Sequence, residues 1–434
     1  MRSTMIRSSR QRIAVAMSGG VDSSVVAYLL RQQYAQEELL GIHMSNWDYN
    51  AEETAPSKCW EQDWKDAKLV ADHIGIPIIH TSFQADYWNS VFEPFMEQIS
   101  QHRTPNPDVD CNRYIKFGVL KEFLWSKHQI TTLATGHYAR LWDPTRDMPE
   151  DLQQVLDQDS SIATYLSKTT PTLLSGKDTS KDQSYFLSGV SGEALRNVLF
   201  PLGDYLKQPK DASSAMSVRE LALEAQLPNA LKRDSMGICF VGKRKHGEFV
   251  QDFLVPPPTT TIGQCINVED GSIVTTFDPQ KQPSLLYATV GQGAKIGGAS
   301  QKWFVVDKPN ATTLLVCPGT HHPALYSDSF RVDHIHWISG IEPRLPLQAQ
   351  CRIRHLQPLV DCEIHQRQEG GYDVVTSRPL RGIASGQVCG IYLHDLICLG
   401  GGAIAQRGPS YMELQKSLPS LLHPAGSNDL SIKQ

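Results

Sequence analysis

The stretch that most constrains this chain is Ile13-Ala-Val-Ala-Met-Ser-Gly-Gly-Val-Asp-Ser-Ser24. Its apolar run from Ile13 to Met17 reads as a buried parallel strand. Ser18-Gly19-Gly20 interrupts the run. Val21, Val25 and Leu29 then recur at helical spacing, with Val26 and Leu30 beside them. The local structure is therefore strand, glycine turn, helix. Adjacent glycines let a backbone approach a ligand closely and adopt positive φ. The N–H groups that open the helix, with the helix dipole behind them, make an anion site, and Ser18, Ser23 and Ser24 add hydroxyl donors. The turn holds no lysine, so it is not a Walker loop, and it is not G-x-G-x-x-G.

From residue 13 to about 140 the pattern alternates between strand and helix. Leu39–Met44 and Ile78–Phe83 read as strands, Ala67, Val70, Ala71 and Ile74 as one helix face, and Ile130–Ala139 as a further strand. Trp88, Val91, Phe92, Phe95 and Ile99 are helically spaced, with Pro94 expected to kink that helix. Such alternation predicts a doubly wound parallel sheet, whose ligands sit at the carboxyl ends of the strands. The turns after Met17, Met44 and Thr135 would share one crevice. Asp143–Ser175 is polar and patternless and reads as a surface insertion, and helical pattern returns from Ser184 to Gln226. Beyond about 255 short β-rich runs take over: 272–277, 285–290, 303–306, 313–316, 350–355, 359–365, 372–377 and 387–399. The last four have the spacing of a small β-barrel. The expected fold class is α/β: a doubly wound catalytic domain over 1–209, a small central domain over 210–322, a C-terminal β-barrel over 323–408 and a loose tail over 409–434.

A net charge of −5 over 434 residues excludes a generally basic nucleic-acid coat and leaves room for local basic faces. No eighteen-residue apolar stretch exists, so no membrane span is expected. Nine cysteines without a C-x-x-C pair suit a reducing compartment and give no zinc-ribbon spacing; no metal site is expected. Residues 1–12 carry four arginines, four hydroxyl residues and no acid, as at the end of a mitochondrial transit peptide. A frayed basic terminus of a cytoplasmic protein would look the same.

Two further stretches carry chemistry. In Arg103-Thr-Pro-Asn-Pro-Asp-Val-Asp-Cys111-Asn112, two prolines hold an extended loop and Cys111 is expected to open a helix, where the helix N-terminus favours a thiolate. A buried structural thiol is the alternative. Asp108 is a candidate proton acceptor. In Lys232-Arg-Asp-Ser-Met-Gly-Ile-Cys239-Phe240, followed by Lys243-Arg-Lys245, the positive surroundings of Cys239 favour a thiolate or persulfide anion.

Ser18-Gly-Gly-Val-Asp-Ser23 resembles the pyrophosphate loop of the ATP-pyrophosphatases. Over residues 12–407 the chain resembles the tRNA 2-thiouridylases, through that loop, Met44-Ser-Asn-Trp47, Thr104-Pro-Asn-Pro-Asp108 with Cys111-Asn112, Ala134-Thr-Gly-His-Tyr138, Lys181-Asp-Gln-Ser-Tyr185, Asp234-Ser-Met-Gly-Ile-Cys-Phe240, Ser385-Gly-Gln387 and Cys398-Leu-Gly-Gly-Gly402. Asp234–Arg244 and Trp60–Trp64 look most like the mitochondrial branch. The resemblance implies ATP, with Mg2+, on Ala16, Met17, Ser18, Gly19, Gly20, Val21, Asp22 and Ser23, near Met44 and Gly136. It implies a tRNA whose wobble uridine enters beside Asn106, Pro107 and Asp108, with His137, Lys181, Asp182, Gln183, Arg354, His355 and Gln387 touching the RNA. AMP would pass to uridine O2. Cys239, loaded with persulfide sulfur by an external donor protein, would supply the sulfur, and Cys111 would release it, the two ending as a disulfide. Ser45, where the family often has lysine, and Arg354-His-Leu-Gln357 depart from the pattern. The competing readings are another adenylating synthetase on the same loop and a catalytically silent tRNA-binding protein.

Overall fold

The computed structural model describes residues 12–47, 59–208, 216–234, 249–250, 253, 262–282, 285, 287–297 and 301–419. A five-stranded sheet forms first: β1 (Ile13–Ala16), β2 (Leu39–Ser45), β3 (Ile78–Ser82), β4 (Thr132–Ala134) and, later in the chain, β7 (Val198–Leu199). Its order is β3-β2-β1-β4-β7, and every pairing is parallel. The chain steps outward from β1 through β2 to β3, then returns to the other side of β1 at β4. That reversal is the switch point of a doubly wound sheet.

Successive β1 residues serve opposite faces. Ile13 and Val15 pack with α1 (Val21–Gln33), α2 (Cys59–Ile74) and the helix Val218–Glu224, whereas Ala14 packs with Phe92, Phe95, Ile115 and Leu120 on the far side. Both faces are covered, which is why the strand text is continuously apolar. Pro94 falls directly after a change of helix type. The chain runs Gln84–Tyr87 as α-helix, Trp88–Phe92 as a π turn and Glu93–Ser100 as α-helix with the proline in its first turn.

The expected strand 130–139 is two strands in two sheets. β4 ends at Ala134, Thr135–His137 turn, and β5 (Ala139–Trp142) pairs instead with β6 (Thr172–Ser175). The segment between them is not a featureless insertion. A helix spans Glu150–Gln158, and Leu152 and Ile162 are buried in the core of the C-terminal barrel. Met148, Leu152, Val155 and Leu156 recur at helical spacing and pack on the barrel core, a period that the polar residues between them hide in the sequence. The helical pattern at 184–226 also proves broken: only Ser184–Leu187 and Val218–Glu224 are helical among the described residues, with turns between. The stretch 285–290 forms no strand among its described residues.

The central sheet runs β10-β11-β8-β9, from β8 (Gly263–Asn267), β9 (Ile273–Phe277), β10 (Trp303–Asn310) and β11 (Thr313–Pro318). The barrel is built from β12 (Tyr326–Val332), β14 (Leu347–Arg352), β15 (Val360–Gln366), β16 (Tyr372–Arg381), β17 (Val388–Leu393) and β18 (Ile397–Arg407) in the order β12-β16-β15-β14-β17-β18, closed by β12 against β18. The short β13 (His336–Trp337) pairs with β18, and β18 also pairs with β6, Ile397 opposite Leu174, so the barrel is stitched to the catalytic domain by a shared sheet. The Gly400-Gly-Gly402 run lets this crowded strand pass. A Cβ on Gly400 or Gly402 would collide with the carbonyl oxygen of His336 or His334.

Candidate active site

The turn after β1 lies at the switch point, as its strand–turn–helix text predicts. The serines close it internally: the Ser18 amide donates to Ser23 Oγ at 3.1 Å, and Ser23 Oγ and Ser24 Oγ donate to the Gly20 carbonyl at 3.0 and 2.9 Å. Gly19 has φ of 78°, and a Cβ there would run into the Asp63 carbonyl, so the position demands glycine. No side chain caps the start of α1, which leaves its first-turn amides facing the crevice. From the other side of the switch point, Gly136 presses on the loop: a Cβ on it would stand 3.1 Å from the Ser23 amide nitrogen. Met44 sits at the end of β2, partly buried against the core.

Four residues that the motifs did not flag as loop supports brace this turn. Asn229 donates through Nδ2 to the Gly19 carbonyl and to Ser24 Oγ, both at 2.9 Å. Lys232 reaches the same carbonyl at 3.1 Å while paired with Asp63 and Asp66 at 2.7 and 2.6 Å. Tyr138 Oη donates to Asp22 Oδ1 at 2.8 Å, and Lys207 pairs with the same oxygen. Nothing in sequence spacing marks Asn229 or Lys207, because they meet the loop from 185 and more positions away.

The second stretch differs from expectation at one point. Its helix begins at Pro107, with Asn106 as N-cap accepting from the Asp108 amide at 3.2 Å. Cys111 therefore stands one turn inside, at the start of a π-helical segment Cys111–Val119, and is 5 % exposed. It does not open the helix, because proline, not cysteine, supplies the fixed φ of the first turn. Burial pushes the Asp108 carboxyl above its usual range, against the pull of Lys116. Burial also pushes Asp110 up to about 6, with Arg113 opposing. Phe117 on the π segment packs 5.8 Å from the His137 ring, next to Gly136, which ties the Cys111 helix to the phosphate loop. His137 is buried, bonded to Thr135 Oγ1 at 2.7 Å, and its pKa is driven well down by burial.

The residues expected to touch RNA are also contacts within the chain. Asp182 is 2 % exposed; its carboxylate accepts from the Gly176 and Ser184 amides and pairs with Arg352. Gln183 accepts from the Tyr138 amide at 3.0 Å, and His355 Nε2 meets the Asp182 carbonyl at 2.9 Å. Arg354 donates to the carbonyls of Val290 and Gly382, both at 2.8 Å, and Gln387 donates to that of Thr104 at 2.9 Å. The Thr104 amide in turn bonds the Ser385 carbonyl at 2.7 Å, so the barrel's Ser385-Gly-Gln387 loop holds the Thr104–Asp108 stretch. Lys181 pairs with Asp234 at 2.9 Å. Cys239 and Lys243–Lys245 lie outside the described residues, which reach as far as Asp234 on that side.

Among the described residues no group of three or more His, Cys, Asp or Glu side chains could hold a metal ion, and no helix is long and apolar enough to cross a membrane.

A nucleotide-type loop at the switch point of a parallel sheet, with a closed barrel sewn to that sheet's domain and a further four-stranded sheet, defines a multidomain α/β protein. Comparison with known proteins specifies it further. Residues 11–243 match the tRNA methyl transferase HUP domain family, and residues 327–404 match the aminomethyltransferase beta-barrel domain family. The chain is 35% identical over 421 residues to the mitochondrial tRNA-specific 2-thiouridylase 1 of Gallus gallus, covering 94% of each chain. It is 35% identical over 413 residues to the Homo sapiens protein of that name, covering 94% of this chain and 93% of the other. It is 37% identical over 400 residues to the tRNA-specific 2-thiouridylase MnmA of Shouchella clausii, covering 91% and 96%. The chain belongs to the tRNA-specific 2-thiouridylase family.

Proposed function

We propose that this protein is a transferase that replaces O2 of the wobble uridine of tRNA with sulfur at the expense of ATP. The observation that carries the reading is the link from the uncapped loop 18–23 through Gly136, His137 and Phe117 to the helix of Cys111, which puts a phosphate site and a thiol on one scaffold. ATP lies with its phosphates on Ala16–Ser23 and its nucleoside toward Met44 and Gly136. Since the described residues hold no cluster of three or more His, Cys, Asp or Glu side chains, Mg2+ would come with the nucleotide, neutralising its phosphate charge.

Uridine O2 attacks the α phosphorus, and pyrophosphate leaves. The outer sulfur of a Cys239 persulfide, loaded by a donor protein, attacks C2, and AMP departs. The Cys111 thiolate then attacks the inner Cys239 sulfur, breaking the S–S bond and leaving thiouridine and a Cys111–Cys239 disulfide that an external thiol reduces. Asp108, with its raised pKa and its place one turn before Cys111, holds the proton that moves in these steps. Asn106 and Pro107 shape the uridine site. Lys181, Asp182, Gln183, Arg354, His355, His137 and Gln387 act on the RNA chiefly by fixing the loops that face it, since their side chains are engaged within the chain. Residues 1–209, 210–322 and 323–408 divide as catalytic, central and RNA-contacting domains. Relatives named as mitochondrial support a mitochondrial address.

The test is mass spectrometry of nucleosides from tRNA incubated with the protein, ATP and a persulfide donor. 2-Thiouridine that depends on both ATP and donor is expected. AMP formation without any thiouridine would favour another adenylating enzyme.

A further inference from the structure

Lys207 is used by none of the steps above, yet its position is unusual. Its side chain is 4% exposed, and its ammonium pairs with two carboxylates from stretches far apart in the chain: Asp22 in the phosphate loop and Asp234 Oδ1 at 3.0 Å. The Lys207 backbone is itself fixed, its amide donating to buried Asp178 at 2.8 Å. Lys181 and Arg219 complete the grip on Asp234, at 2.9 and 2.7 Å. Asp234 stands five positions ahead of Cys239 in the sequence.

A buried ammonium has three donors and cannot be left without counter-charge cheaply. When one carboxylate moves, the other must take up the charge, so the two positions depend on each other through the cation. Asp22 and Asp234 keep 32% and 30% of their side chains exposed. The cation is thus buried while both of its carboxylates stay partly exposed.

We propose that Lys207 is a positioning residue that couples the phosphate loop to Asp234, so that adenylation at the loop and sulfur delivery downstream of Asp234 proceed together. The proposal rests on the thiolation reading for its kinetic consequence, but the link itself is readable without substrate.

The experiment compares Lys207→Met, Lys207→Arg and Asp234→Asn in the full chain, each checked for folding by thermal melting. AMP and thiouridine are counted in the same reaction. The wild type is expected to release close to one AMP per thiouridine. Lys207→Met should raise that ratio about fivefold or more, the lower end of usual coupling between sites, while Lys207→Arg restores it at least in part. Asp234→Asn, which spares the Lys207–Asp22 pair, should raise it too and serves if Lys207→Met does not fold. Loss of mere fold support would lower both products in parallel and leave the ratio unmoved, and that result in a folded variant overturns the proposal. The second arm is amide hydrogen exchange of residues 18–24 without substrate. Slower exchange in Asp234→Asn, as Lys207 gives its whole charge to Asp22, supports the link, and unchanged or faster exchange overturns it, whichever reaction the protein performs. A wild type that makes AMP but no thiouridine sinks the thiolation reading alone, and the exchange arm still decides the role of Lys207.

Discussion

Arg352 of the barrel and Asp182 of the catalytic domain form an ion pair with Nη1–Oδ2 at 3.2 Å, their side chains only 9% and 3% exposed. Arg352 also lies over the Tyr392 ring at 4.8 Å, and Tyr392 Oη meets Ser184 Oγ at 3.1 Å. The Lys181–Tyr185 stretch is thus a polar plug between two domains that β6 and β18 already join. Asp182→Asn leaves the guanidinium buried without its charge partner and should cost about 3–5 kcal/mol. Denaturant unfolding measures this. Adding Arg352→Met should recover a large part of the loss, because the stranded charge is then gone.

The cysteines should separate the steps of sulfur transfer. Cys239→Ser should bind ATP and tRNA and yield no thiouridine when free sulfide is excluded. Cys111→Ser should still accept persulfide sulfur on Cys239 but stall before product release. Asp108→Asn should slow turnover by roughly 10²–10⁴-fold, the usual span for a general acid or base. Single-turnover assays with labelled persulfide distinguish the three, and wild-type thiolation by Cys239→Ser would refute the scheme.

The nucleotide product should be AMP with pyrophosphate. A loop with no Walker lysine has no device for holding β and γ phosphates apart for cleavage between them. Chromatography of the spent nucleotide gives the answer, with ADP as the contrary result.

Gly19→Ala should abolish AMP formation while the barrel remains folded. The substitution forces a side chain at φ of 78° into the Asp63 carbonyl, and the loop must move to admit it. Circular dichroism and AMP release, measured together, check both halves.

Asp110 sets a pH dependence of stability. Burial lifts its folded pKa from 3.8 to about 6, partly offset by Arg113. Between these values the folded state binds more protons than the unfolded chain, so this residue's contribution falls as pH rises through that window. Asp110→Asn should therefore stabilise the protein at pH 7.5, by on the order of 2 kcal/mol, and far less at pH 4. Urea midpoints at the two pH values test the sign. An equal shift at both would show that Asp110 is not held against its ionisation.

The local chemistry of this protein was legible in the residues themselves. Strand, glycine turn and helix at 13–33, the parallel sheet and the later β-barrel all follow from period and punctuation, which are properties of neighbours in the chain. Tertiary structure alone decided who meets whom. It placed Asn229, Lys232 and Lys207 around the loop, drew Leu152 and Ile162 into the barrel core, and set Arg354 against the carbonyls of Val290 and Gly382. Each of these depends on a pairing across many tens of residues or more, set by sheet order and barrel closure. A charge or a thiol carries no sign in sequence of which distant carboxylate, carbonyl or helix will bury it.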